Sequence, residues 1–320
     1  MPVDFLTEAQ KRRYGRYPED LGAVQLARYF HVDDTDRQLI AQRRGDANRL
    51  GFALQLLTVR FLGTFLPNPT EVPAVVVAHV ARQLALADVS CLPRYLDPEP
   101  TRHEHRTEIR AVYGYRDLGP PWSFRLARWL YLRAWLGNER PSLLFDQATA
   151  WLIDRKVLLP GVTTLSRLVA RVRERTATRL WRCLAALPDA KQQAQLKTLL
   201  EIPQGARYSR LDSLRRGPTR VSAPALLAAL HRHAELKAMG IGTLDVSGIP
   251  PVRIKALARH AATAWAPTIA RMPRQRRIAT LVAFVAIQEI NALDMRRLPA
   301  SRSWLPLHFC ARSRASAGPT

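Results

Sequence analysis

The chain has 320 residues, 47% of them apolar, and 49 basic against 26 acidic side chains, a surplus of 23 that carries the pI to about 11.2. That apolar content excludes a disordered basic tail, and the length accommodates two or three domains with cores of their own. A cationic surplus of this size favours nucleic acid or an anionic membrane surface as partner.

The first residues, MPVDFLTEAQKRRYGRY, hold no apolar run of an export signal, and aliphatic runs such as Leu281 to Ile287 are too short to span a bilayer. Three distant cysteines, Cys91, Cys183 and Cys310, point to a reducing compartment and to no disulfide framework. The expected location is the cytoplasm, with no membrane partner. Residues 1–101 carry 12 basic and 12 acidic side chains, residues 102–182 carry 16 and 7, and residues 183–272 carry 13 and 5. The surplus therefore begins near Arg102. Arginines number 43 and lysines six; guanidinium suits bidentate phosphate contact, although a GC-rich genome produces the same bias.

In chain order, the first clear element is DDTDRQLIAQRR from Asp33 to Arg44, with Asp33 or Asp34 as its cap. Gly45-Asp46 ends it, and Asn48 can cap a second helix, NRLGFALQLLTVRFLG, whose Leu50, Ala53, Leu54, Leu57 and Phe61 form a buried stripe. Two helices joined by so short a turn resemble a helix-turn-helix, and the second would present Arg49, Gln55 and Arg60 outward, types that read base edges or phosphates. An ordinary helical hairpin is the alternative.

A third helix is expected over Val75 to Leu86, then an extended connector from Pro93 to Pro100. Thr101 would cap the next helix, TRHEHRTEIRAVYGYRDL, which sets Arg102, Arg106 and Arg110 one turn apart. His103 and His105 point away from each other at helical spacing, as do His231 and His233, so no metal site is expected. After Pro120-Pro121, amphipathic helices are expected over 122–137 and 141–155; Trp122, Trp129, Trp135 and Trp151 have leucine companions that place them in a core rather than against bases.

Pro160 to Leu187, PGVTTLSRLVARVRERTATRLWRCLAAL, is the most informative stretch. Thr163 or Thr164 can cap it. Leu165, Leu168, Val169, Val172, Thr176, Leu180, Cys183, Leu184 and Leu187 recur in one stripe, while Arg167, Arg171, Arg175 and Arg182 fall on another face. Beyond Pro188 shorter helices follow: Lys191 to Leu200, Ser209 to Arg215 stopped by Gly217-Pro218, Ser222 to Met239, and Pro251 to Trp265. The last amphipathic pattern is RQRRIATLVAFVAIQE at 274–289. From about Asp294 the sequence loses its period and its acidic residues. The expected fold is all-α: tandem small helical domains with helix-turn-helix-like modules, divided at 1–118, 119–202 and 203–294, with an irregular basic tail over 295–320.

No GxxxxGK(S/T) loop, GxSxG elbow, HExxH or paired CxxC is present, and only 14 of the 26 acidic residues follow Arg102. By its residues the chain reads as a binder. The segments RRGDANRLGFALQLLTVRFLGTFL, VPAVVVAHVARQLAL and TRHEHRTEIRAVYGYRDL resemble the amino-terminal domain of the Tn-3 family of replicative transposases. PGVTTLSRLVARVRERTATRLWRCLAAL and RRIATLVAFV resemble segments further along the same proteins, so the likeness runs in order over roughly residues 1–286. After Val285 the basic tail stands where the family has an acidic, leucine-rich helix.

The resemblance implies sequence-specific binding of duplex DNA at transposon terminal inverted repeats, in the service of transposition. It also implies a truncated product, from a frameshift or disrupted element, that lacks the RNase H-like Asp-Asp-Glu domain. Such a chain is expected to be no enzyme, to have no catalytic or metal-binding residue, and to need no cofactor, with Mg2+ reserved for the missing domain; a homodimer is compatible with it. The candidate DNA contacts are Arg43, Arg44, Asn48, Arg49, Gln55, Arg60, Arg102, Arg106, Arg110, Thr163, Thr164, Arg167, Arg171 and Arg175. Among them Arg49 and Gln55 would face base edges, and Arg167, Arg171 and Arg175 phosphates. The alternatives are a helical scaffold for RNA or protein partners, and a non-functional remnant.

Overall fold

The computed structural model of the chain describes residues 5–97, 99–216 and 222–297. The fold is all-α, and among the described residues the only non-helical pairing is an isolated parallel bridge between Arg116 and Val157. The expected basic tail lies outside the described residues apart from its first three positions, and the stop expected at Gly217-Pro218 lies wholly outside them. Among the described residues two compact units form, one from those up to 180 together with 250–253, the other from those between 181 and 249 and from 254 to 297.

Two short helices, α1 (Glu8–Arg13) and α2 (Ala23–Tyr29), precede the first element expected from sequence. They are too brief to show an apolar period; α1 is set instead by a capping box in which Thr7 and Gln10 exchange side-chain and backbone hydrogen bonds. Asp33 caps α3 (Asp34–Ala41), its carboxylate accepting the Asp36 amide at 2.7 Å. Gly45, at a φ of 78°, precedes α4 (Asp46–Leu62). Asn48 thus sits inside the first turn of α4 rather than capping it, and its Nδ2 donates to the Arg44 carbonyl at 3.0 Å.

The larger departure concerns α4 itself. Every residue from Leu50 to Val59 is buried, Gln55 and Thr58 included, because α2, α3, α5 (Ala74–Gln83), α6 (Glu99–Tyr113) and a 3-10 turn at Leu92–Leu96 all pack against it. A helix apolar on all sides is a core helix, not the exposed half of a helix-turn-helix. The 3-10 turn replaces the extended connector expected after Pro93. The helix α6 begins at Glu99, so Thr101 lies within it and does not cap it.

Within the first unit the apolar residues form two clusters. One runs from Leu26 to Tyr115 around α4; the other joins Leu6 to residues between Leu126 and Val172. The second is built by α7 (Pro120–Leu136) and α8 (Pro141–Asp154), each opened by proline in its first turn, and by the first half of α9 (Val162–Ala186), as far as Val172. Gly63, at a φ of 73°, ends α4 and accepts the Leu159 amide at 2.9 Å, tying the two clusters together.

The second unit begins with the end of α9 and continues through α10 (Ala190–Thr198), α11 (Arg210–Arg215), α12 (Ala223–Ala238), most of α13 (Pro251–Thr263), α14 (Ala266–Ala270) and α15 (Arg274–Arg297). Its centre is α15, buried continuously from Ile278 to Ala286 against α10, α12, α14 and a 3-10 turn at Ile241–Thr243. The amphipathic pattern expected at 274–289 is therefore corrected to a second core helix. No helix among the described residues is long and apolar enough to cross a membrane.

Candidate nucleic-acid interface

The helix α9 keeps the two faces read from its sequence. Leu165, Val169, Val172, Thr176, Leu180 and Leu184 are buried, whereas Thr163, Thr164, Arg167, Arg171, Arg175 and Arg182 are exposed. Its start differs in detail: the Gly161 carbonyl accepts the amides of Thr164 and Leu165, at 2.9 and 3.2 Å, so both threonines lie in the first turn. The Tyr14 hydroxyl donates to the Pro160 carbonyl at 2.9 Å and anchors this end. Among the described residues no carboxylate pairs with Arg167, Arg171 or Arg175. Those three guanidiniums occupy ~12 Å of helix at 1.5 Å per residue, free to meet a polyanion. Arg173 falls on the other side, half-buried, and burial lowers its pKa.

The other candidates are mostly engaged inside the fold. Gln55 is 2% exposed; its Nε2 donates to the Tyr95 hydroxyl at 2.5 Å and its Oε1 accepts from Arg106 Nε at 3.1 Å. It cannot reach a base edge. Arg60 does not point outward either, since it clamps the buried Asp36 carboxylate with two bonds of 2.9 Å. Arg43 pairs with Glu108 at 2.5 Å and lies over the Phe52 ring. Arg106 donates to the Leu66 and Pro67 carbonyls, at 2.6 and 3.2 Å, and Arg110 pairs with Asp117. Arg102 is half-buried, with its carbonyl within 3.5 Å of Gln55 Nε2. Arg49 lies 3.6 Å from the Asp46 carboxylate on its own helix, and Arg44 is exposed. Helical periodicity assigned a face to each of these arginines; the partners that hold most of them are distant in sequence.

His103 is exposed while His105, 4% exposed, meets the Tyr95 hydroxyl through Nδ1 at 2.8 Å. Burial and the nearby Arg43 charge push the His105 pKa down to about 4. Its unfolded value is near 6.5, so between pH 6.5 and 4 the unfolded chain takes up the proton and the folded one does not. Stability is therefore full above pH 6.5 and falls by about 2–3 kcal/mol as pH drops to 4. Urea melts of wild type and His105→Asn at pH 7 and 4.5 test this: the variant should lose less stability on acidification, and parallel losses would acquit His105.

A second cationic surface escaped the sequence reading. Trp122, Trp129 and Trp151 cluster on α7 and α8, and guanidiniums cover them: Arg125 lies 4.8 Å from the Trp122 centroid, Arg133 5.3 Å from Trp129 and Arg155 4.4 Å from Trp151. The three- and four-residue Trp-to-Arg spacings along these helices are the signal that could have found them. Arg116, 6.0 Å from the Trp122 centroid, comes from outside these helices and carries no such signal.

Residues 5–172 match a family described as a domain of unknown function, DUF4158. The chain is 53% identical over 295 residues to the transposase for transposon gamma-delta of Escherichia coli strain K12, covering 92% of this chain and 29% of that protein. It is 30% identical over 269 residues to the transposase for transposon Tn501 of Pseudomonas aeruginosa, covering 84% and 27%, and 26% identical over 258 residues to that of Tn1546 of Enterococcus faecium, covering 80% and 26%. The chain thus spans less than a third of the length of these relatives.

Proposed function

Because the chain belongs to the Tn-3 family of transposases and corresponds to their amino-terminal region, we propose that it binds duplex DNA at transposon terminal inverted repeats. The observation that carries this reading is the row of Arg167, Arg171 and Arg175 on α9, exposed and paired with no carboxylate among the described residues. Structural arginines in this fold find carboxylates or carbonyls; a row that finds none, inside the most basic segment of the chain, suits a phosphate backbone. Thr163 and Thr164 at the exposed start of the helix can add hydroxyl contacts. Arg44 and Arg49 remain the available candidates from the α3–α4 region.

In this reading the chain recognises and positions DNA, with no strand cleavage of its own and no cofactor, any Mg2+ chemistry being left to parts of the relatives that this chain does not match. A bacterial cytoplasmic, nucleoid-associated protein, binding as a monomer or homodimer, fits that role.

The test is a gel-shift titration of inverted-repeat duplex at several salt concentrations, comparing wild type with Arg167→Gln/Arg171→Gln/Arg175→Gln. Each lost phosphate contact removes ~0.9 from the slope of log K against log salt, so the slope should flatten by about 2.7. Affinity should fall at least tenfold at low salt. An unchanged slope removes α9 from the interface, and equal competition by random duplex removes the repeat as the specific target.

A further inference from the structure

The tryptophan cluster on α7 and α8 has a chemistry that the α9 row lacks. Trp122 and Trp151 meet edge to face with centroids 6.2 Å apart, and Trp129 tilts onto Trp151 at 6.1 Å. Four guanidiniums, from Arg116, Arg125, Arg133 and Arg155, lie over these three rings. Among the described residues two carboxylates answer them: Glu139 pairs with Arg133 at 2.8 Å and Asp154 with Arg155 at 2.9 Å. Arg116 and Arg125 are exposed and pair with no carboxylate among the described residues.

Four like charges over one small aromatic patch repel each other, and the ring quadrupoles offset part of that repulsion. Lying over a ring also limits the rotamers of a long side chain, so less freedom is lost when its N–H edge meets a ligand. A guanidinium held over an aromatic face keeps that edge, with its planar fork of donors, available outward. That fork matches phosphate oxygens. With arginines over the indoles, base stacking is not the mode of contact; a sugar-phosphate backbone is.

We propose that Arg116, Arg125, Arg133 and Arg155, held over Trp122, Trp129 and Trp151, form a second backbone-phosphate contact surface for duplex DNA, separate from the α9 row. This rests on the DNA-binding reading above, and it adds a surface whose strength depends on stacked geometry as well as charge.

The experiment uses the full chain and two double variants, Arg116→Lys/Arg125→Lys and Arg116→Gln/Arg125→Gln, chosen because both positions are exposed and outside ion pairs. Circular dichroism melts should match wild type. With inverted-repeat duplex, the glutamine pair should bind at least tenfold more weakly and flatten the salt slope by about 1.8. The lysine pair should keep the slope and still bind about three- to tenfold more weakly, because charge is retained and the stacked fork is lost. Tryptophan emission of wild type should change on saturation with duplex, and this change should shrink in both variants. Wild-type affinity and slope in the glutamine pair would overturn the patch, and wild-type affinity in the lysine pair would overturn the role of stacking. Failure of wild type itself to bind duplex would instead sink the DNA-binding reading, which the α9 variant addresses separately.

Discussion

Asp36→Asn should lower the unfolding free energy by about 3 kcal/mol, read as the shift of a urea melt at pH 7. Asp36 is 0% exposed, and its two oxygens take bonds from both terminal nitrogens of Arg60 at 2.9 Å, from the Tyr113 hydroxyl at 2.6 Å and from the Asp33 amide at 3.2 Å. An amide of the same shape offers one acceptor oxygen and turns its NH2 towards donors, leaving the guanidinium without its counter-charge. Arg60 is about one-third exposed and can recover some hydration, which keeps the cost at the lower end of what a broken buried pair produces. Burial alone would raise the Asp36 pKa, but the Arg60 and Tyr113 hydrogen bonds, the Arg60 charge and the Asp33 amide outweigh it and hold the carboxyl below its ordinary value. The contribution is complete above the unfolded carboxylate pKa near 4 and disappears as pH falls through the folded one, a window below that of His105. A variant that melts with wild type at pH 7 would show that α3 is held to α4 by apolar packing alone.

Gly51→Ala should cost about 2–4 kcal/mol, although alanine is the better helix former by ~1 kcal/mol. A methyl group at Gly51 would lie 2.3–2.5 Å from three atoms of the Tyr95 ring. That ring cannot step aside cheaply: it is fully buried, and its hydroxyl is held by Gln55 and His105. Moving it breaks both bonds and strands polar groups in the core. A double-mutant cycle checks the cause, since in a Tyr95→Ala background the same glycine replacement should be nearly neutral or slightly stabilising. Additive costs would place the strain elsewhere.

Gly51 lies in α4 and Asp36, on α3, is bound to α4 through Arg60; periodicity reads that helix as a one-sided, DNA-facing element. A run such as LGFALQLLTV, apolar at nearly every position from Leu50 to Val59, is the composition of a helix packed on all sides, and the single stripe drawn through it was a subset of that pattern. The arginines were visible in the sequence as charge, but what each charge meets was not. Arg60 meets Asp36 from 24 residues away, Arg43 meets Glu108 from 65, and Arg106 meets carbonyls about 40 residues back. By contrast, α9 was legible on both faces, because its buried stripe and its arginine row follow from positions three and four residues apart on one helix.

Sequence alone therefore determined what is local: the all-α class, a helix opening at Asp33 or Asp34, the helices that follow Pro120-Pro121 and begin at Pro141, and the two-faced α9 with its exposed Arg167, Arg171 and Arg175. It also determined family membership, through ordered segments spread along most of the chain. Tertiary structure alone decided that α4 and α15 are core helices, that Gln55 and Arg60 serve the fold, and that Arg116 joins a guanidinium layer over Trp122. The physical reason is range. Helical geometry relates residues within about two turns, whereas burial and ion pairing are set by whichever distant segment packs against them.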